Sequence, residues 1–263
     1  MLRARPSRRA IAFTPIPSAR CSLLISAHSS TLITFLLPLG HSRPRKGRVP
    51  TTERGGSSGR GQFSTGYKGS VFSRRRHLGL SGVVEADQLR ALVDGLDPSS
   101  GVELLAGSRP RSVRAFDLTF SAPKSCSLLW ALGGERVAEV VAAAHREAVE
   151  VALGFLEDRA AVARVQFQGV RRRVETGGWV VAGFVHRTSR EGDPQLHTHC
   201  LVPNLVRRSV DGRVVAFDAG PLYEWCRAAG SVYQNQLQRA LSLRLGVEWG
   251  PDRNNTREMA GFG

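Results

Sequence analysis

Residues 184–204 read FVHRTSREGDPQLHTHCLVPN, and the rest of the chain is best understood outward from them. β-Branched and aromatic residues over 179–186 predict a buried strand, and LHTHCLVPN over 196–204 predicts a second. Gly192 and Asp193-Pro194 are turn formers, so the two strands are expected to pair as an antiparallel hairpin around the loop Arg187–Gln195. Within LHTHC a period of two puts His197 and His199 on one face, ~7 Å apart along the strand. Antiparallel pairing can bring His186 opposite them. Three neutral imidazoles leave the full 2+ charge on a bound metal, which suits a site that polarises an anionic phosphate. The plainer alternative is a set of hydrogen-bonded core histidines. The HxH spacing with a third histidine at the facing strand end favours the metal. Cys200 points to the opposite face and is expected to fill core.

Upstream, RAFDLTFS (114–121) alternates from Phe116 onward. Phe116, Leu118 and Phe120 face one way, and Asp117, Thr119 and Ser121 the other. Pro123 ends this strand. Asp117 lies among apolar neighbours, and a buried carboxylate needs a partner. It could orient a ligand imidazole, act as a general base, or simply face water at a sheet edge. Lys124, just past the strand end, could meet a phosphate or be an ordinary solvated lysine. Arg171–Arg173, Arg187 and Arg190 could contact a nucleic-acid backbone, although exposed arginines alone are weak grounds.

Helical patterning is expected over 83–95, from Ser125 to Leu132, over 135–164 and over 221–245. In the third of these, Val141, His145, Val149, Leu153 and Leu156 fall near one face. In the last, Leu222, Trp225, Ala229, Val232, Leu237 and Leu241 fall near core spacing. A short strand or turn is expected around Val165–Phe167, and a strand over Val214–Phe217.

The formal charge of +15 is unevenly distributed. Residues 1–80 carry nearly all of it, with Glu53 their only acidic residue, while 81–263 are close to neutral. The basicity therefore says little about the domain that follows. The first 76 residues are low in complexity and rich in Arg, Ser, Pro and Gly. The apolar run 21–39 behind an Arg-rich start has the form of a signal or transit peptide, but His28, Ser29, Ser30, Thr31 and Thr34 break it, so no membrane insertion is expected. Residues 40–76 lack period and are expected to be disordered. The same composition also fits translation of GC-rich DNA in the wrong frame. Cys21, Cys126, Cys200 and Cys226 form no CxxC pair, which points to a reducing cytosol.

HLGLSG, FDLTFSAPKS, HRTSREGDPQLHTHCLVPN and YQNQLQRALSLRLGVEW occur in this order over residues 77–263. Together they resemble the TrwC/TraI-type (MobF) conjugative relaxase domain, of the HUH endonuclease class. The resemblance implies an α+β fold, with a central antiparallel, palm-like sheet flanked by helices behind a disordered or aberrant N-terminal segment. It implies a divalent metal (Mg, Mn or Zn) on His186, His197 and His199, and a role for Asp117 in orienting the first histidine and assisting tyrosine deprotonation. Implied partners are single-stranded origin-of-transfer DNA and, beyond it, relaxosome and coupling proteins in the bacterial cytoplasm.

In the family a tyrosine attacks the scissile phosphate and leaves a 5′-phosphotyrosine link. That tyrosine usually belongs to a pair near the N-terminus, before LGLSG. This chain has no Tyr-Tyr. Its tyrosines are Tyr67, Tyr223 and Tyr233. Tyr67 precedes LGLSG but lacks the expected surroundings and reads as a chance residue; the other two read as packing residues. Relatives often continue into a helicase, whereas this chain stops at Gly263. The expectation is a relaxase domain with its metal half complete and its nicking impaired. The alternatives are a non-catalytic single-stranded DNA-binding remnant and an unrelated three-histidine hydrolase using metal-bound water.

Overall fold

The computed structural model describes residues 31–36, 69–72, 82–105, 111–253 and 256–261. At its centre are three antiparallel strands: β4 (Ala115–Ser121), β7 (Val181–Thr188) and β8 (Pro194–Pro203). β8 lies between the other two in a six-stranded sheet. The outer strands are β1 (Thr31–Leu36) beside β4, then β2 (Gly69–Phe72) and β3 (Val83–Val84) beyond β7.

Alternation divides the sheet into two faces. Phe116, Leu118 and Phe120 of β4, with Leu196, Cys200 and Val202 of β8, are buried in the main core. Cys200 fills core as expected. Against this face pack α2 (Lys124–Leu132), α3 (Glu135–Ala160) and α4 (Ala219–Leu245). The long helices hold Ala and Leu in register: Ala144, Ala148, Ala152 and Leu156 of α3 meet Ala229, Leu237 and Leu241 of α4. Among the described residues, the opposite face is covered at one end. There Leu89 and Val93 of α1 (Ala86–Asp94) pack on Ala115, Ala182, Leu201 and Phe184. The other end of that face carries the histidines.

The expected α+β architecture is thus observed, with four departures. The helix expected over 83–95 shortens to α1, because Val83–Val84 enters the sheet as β3. Helix α3 ends at Ala160, not 164, because Val162, Val165 and Phe167 enter a separate two-stranded ribbon, β5 (Val162–Phe167) and β6 (Val170–Glu175). The Arg171–Arg173 run belongs to this ribbon. The strand expected over Val214–Phe217 shortens to β10 (Val214–Val215), paired with β9 (Val206–Arg207). Trp225 sits 39% exposed on α4 while Tyr233 takes the core position; Trp225 lies edge-on to Phe155, and Arg159 covers both rings.

Of the segment read as low-complexity, Thr31–Leu36 and Gly69–Phe72 are strands of the main sheet. The rest of residues 1–76, Tyr67 included, lies outside the described residues. Among the described residues no helix is long and apolar enough to cross a membrane.

Candidate metal centre

The hairpin is tighter than its sequence implied. β7 runs to Thr188 and β8 begins at Pro194. The turn is closed by Ser189 N–H donating to the Asp193 carbonyl at 2.8 Å. Gly192 adopts φ +88°, a conformation that disfavours a side chain there. This turn sets the register that places His186 directly opposite His197, and Phe184 opposite His199.

The three imidazoles converge on the open face. Their ring centroids form a nearly equilateral triangle with sides of 5.1, 4.8 and 5.2 Å. One nitrogen from each lies within 4.8 Å of the other two. Among the described residues this is the only His, Cys, Asp and Glu group so arranged.

Their outer contacts say which nitrogen is free. His197 Nδ1 lies 2.9 Å from the Gln195 carbonyl, which can only accept, so Nδ1 carries the proton and Nε2 keeps its lone pair. His199 Nδ1 lies 2.8 Å from Asp117 Oδ2 and 3.1 Å from Thr119 Oγ1, which likewise leaves the lone pair on Nε2. A carboxylate or carbonyl behind a ligand imidazole is the usual support of a metal histidine. Burial, then repulsion from His199 and His197, holds the His186 pKa below the ordinary imidazole value. Burial is also the main cause of the lowered His197 pKa. Both shifts favour the neutral, ligating form. A neutral donor set of this kind fits a divalent ion.

Asp117 is not at a water-facing edge, since β4 is paired on both sides. Its partner corrects the expectation of a carboxylate on the first histidine: it holds His199, the third in chain order. The cause is sheet order. His186 sits on β7, with β8 between it and β4, so the histidine within reach is one on β8. Asp117 Oδ1 is buried with no hydrogen-bond partner among the described residues.

The TrwC relaxase family model matches residues 57–263. The chain belongs to the TrwC relaxase family. The match begins upstream of the boundary expected at residue 77. Over 179 residues the chain is 34% identical to the multifunctional conjugation protein TraI of Escherichia coli, covering 65% of this chain. Over 142 residues it is 37% identical to the TraI of strain K12, covering 54% of this chain. It spans about a tenth of the length of the first of these relatives and 8% of the second. Among solved structures, a copper-bound conjugative relaxase TrwC in complex with oriT DNA superposes with a TM-score of 0.66 at 34% identity, covering 73% of this chain and 65% of that one. A TrwC complex with a 27-mer comprising the recognition hairpin and the cleavage site gives 0.65 at 35%, covering 75% of this chain and 69% of that one.

Other residues that the sequence brought forward are not gathered at the metal point. The Lys124 ammonium donates to the Pro194 carbonyl at 3.1 Å, tying the start of α2 to the start of β8. Arg187 lies at a register irregularity, its guanidinium 5.5 Å from the ring centre of Trp130 on α2. Arg190 is exposed on the hairpin turn. Arg173 is engaged by Asp218 and Glu224, and Arg164 also binds Asp218, whereas Arg171 and Arg172 remain exposed on the ribbon. Tyr233 is fully buried in the helix-side core, and Tyr223 packs against the same core. Neither reaches the histidine face.

Sequence reasoning overlooked Thr119, the second contact of His199. Part of its signal was in the sequence, where it shares the polar face of β4 with Asp117; its pairing with His199 emerges only in the sheet.

Proposed function

We propose that this chain is a relaxase domain that binds single-stranded origin-of-transfer DNA across the open sheet face and presents one phosphate to the three histidines. The carrying observation is the convergence of His186, His197 and His199, two of them with Nδ1 committed to acceptors. A divalent ion of the Mg, Mn or Zn class held there would neutralise the scissile phosphate. His197 and His199 are aimed by Gln195 and Asp117. Asp117 has one oxygen on His199, and its Oδ1, without a partner among the described residues, can take the proton of an attacking hydroxyl. The exposed β5–β6 ribbon, with Arg171 and Arg172 beside Phe167 and Val170 at its tip, supplies a basic surface for the DNA backbone.

In this reading the reaction is the family's transesterification: a tyrosine oxygen bonds to phosphorus, the 3′ oxygen leaves, and the chain keeps a 5′-phosphotyrosine link for later rejoining. The placement of Tyr223 and Tyr233 on the helix side favours a second reading, a domain that holds DNA without cutting it. The expected compartment is the bacterial cytoplasm, with relaxosome and coupling proteins as further partners.

Incubation with oriT single strands and Mn²⁺, followed by denaturing electrophoresis, separates the two. Salt-sensitive binding without a covalent adduct supports the binding domain. An adduct lost in Tyr67→Phe makes Tyr67 the nucleophile and the chain a competent nickase. Absence of any DNA binding defeats both.

A further inference from the structure

Behind the strand that carries two of the ligands lies a polar chain that the metal chemistry does not use. His145 of α3 places Nε2 2.7 Å from Thr198 Oγ1 and Nδ1 2.8 Å from the Tyr233 hydroxyl. All three residues are at least 99% buried, in a core that includes Phe120, Val149, Cys200 and Leu237. The Tyr233 ring stands edge-on to His145 at 5.7 Å and packs on Phe120 at 5.5 Å. Burial, with repulsion from His197 and Arg146 second and third, pushes the His145 pKa down to about 3. The ring is therefore neutral, with one N–H and one lone pair, and the two hydroxyls satisfy both in either tautomer.

Thr198 is the middle residue of His197-Thr198-His199. The helix-facing positions of β8 are Leu196, Thr198, Cys200 and Val202, and only Thr198 offers a hydroxyl. A slip of one residue would turn both ligand histidines into the core. A slip of two would preserve the faces but bring Leu196 or Cys200 to His145, leaving Nε2 without an adequate partner in a dry interior. The His145–Thr198 bond is thus satisfied in one register, the one that sets His186 against His197 and Thr119 against His199. Apolar side chains of similar volume would fill the same space without needing partners, so burial alone does not account for the trio.

We propose that the Tyr233–His145–Thr198 chain is a positioning device that locks the register of β8 and thereby holds His197 and His199 on the metal point. The proposal rests on the reading of the three histidines as ligands. Its test is Co²⁺ titration of the whole chain, followed by the visible ligand-field band, with folding checked by circular dichroism. Thr198→Val should fold, weaken Co²⁺ about tenfold or more, as loss of support behind a ligand does, and alter the band. Thr198→Ser should restore both. Tyr233→Phe, which removes only the far hydroxyl, should weaken Co²⁺ in the same direction and serves if Thr198→Val does not fold. A folded Thr198→Val or Tyr233→Phe protein with wild-type affinity and band overturns the proposal while leaving the metal site standing. A wild-type chain that binds no Co²⁺ overturns the metal reading and the proposal with it.

Discussion

Asp117 Oδ2 accepts from His199 Nδ1 at 2.8 Å across the β4–β8 pair. This one contact fixes the tautomer of His199 and joins the carboxylate to the histidine cluster. Asp117→Asn keeps the shape and removes the charge. Its affinity for Mn²⁺ or Zn²⁺ is expected to fall about tenfold, with little change in fold. Isothermal titration calorimetry measures this, and an unchanged affinity would show that Asp117 does not support the ligand.

In the proposed site the hairpin supplies all three ligands, so loss of one leaves an incomplete set. His197→Ala and His199→Ala should each cut metal affinity by well over about a hundredfold, while leaving the apo thermal transition within a few degrees of wild type. Equilibrium dialysis with metal analysis, alongside a melting curve, checks both halves of the statement.

The hairpin was legible because its signal is local: a period of two, turn formers between two apolar strands, and HxH on one face. The partner of Asp117 was not, because it depends on which strand lies in the middle of the sheet, and strand order is a tertiary fact. Of the β5–β6 ribbon, the short strand or turn expected around Val165–Phe167 falls in β5, while β6 was missed for a different reason. Arg171, Arg172 and Arg173 give no alternation of apolar residues, since most of the ribbon faces solvent. Trp225 misled because an aromatic at core spacing is usually buried, whereas Arg159 and Phe155 hold this one at the surface. His145 was placed on the inner face of its helix, but its bonds to Thr198 and Tyr233 join residues 53 and 88 positions away.

The ribbon is fastened to the body through Asp218. Its carboxylate receives Arg164 and Arg173 and also caps α4 by accepting from Gly220 N–H at 3.1 Å. Asp218→Ala removes a cap and leaves two guanidinium groups without their acceptor, which together should cost about 2 kcal/mol. Urea denaturation gives the stability loss. Faster proteolysis within residues 162–175 would show the ribbon loosening, and unchanged cleavage there would contradict its anchoring by Asp218.

His145 makes stability depend on pH with a definite sign. Its folded pKa, about 3, lies below the unfolded value near 6.5. The unfolded chain therefore takes up a proton that the folded chain refuses. This contribution is fully present above pH 6.5 and is lost as pH falls toward 3, with a limiting slope of about 1.4 kcal/mol per pH unit. Denaturation curves between pH 7 and 4.5 should be steeper in pH for wild type than for His145→Leu. Equal slopes would contradict the burial of a neutral imidazole.

The central claim is that His186, His197 and His199 together hold one divalent ion on the open face of the sheet. Its most direct measurement is anomalous diffraction at the manganese or cobalt edge from crystals of this chain grown with the metal. The account predicts a single strong peak between the three rings, within bonding reach of Nε2 of His197 and of His199. A peak elsewhere with none at this point, or rings that stay apart with no ion between them at saturating metal, would contradict it.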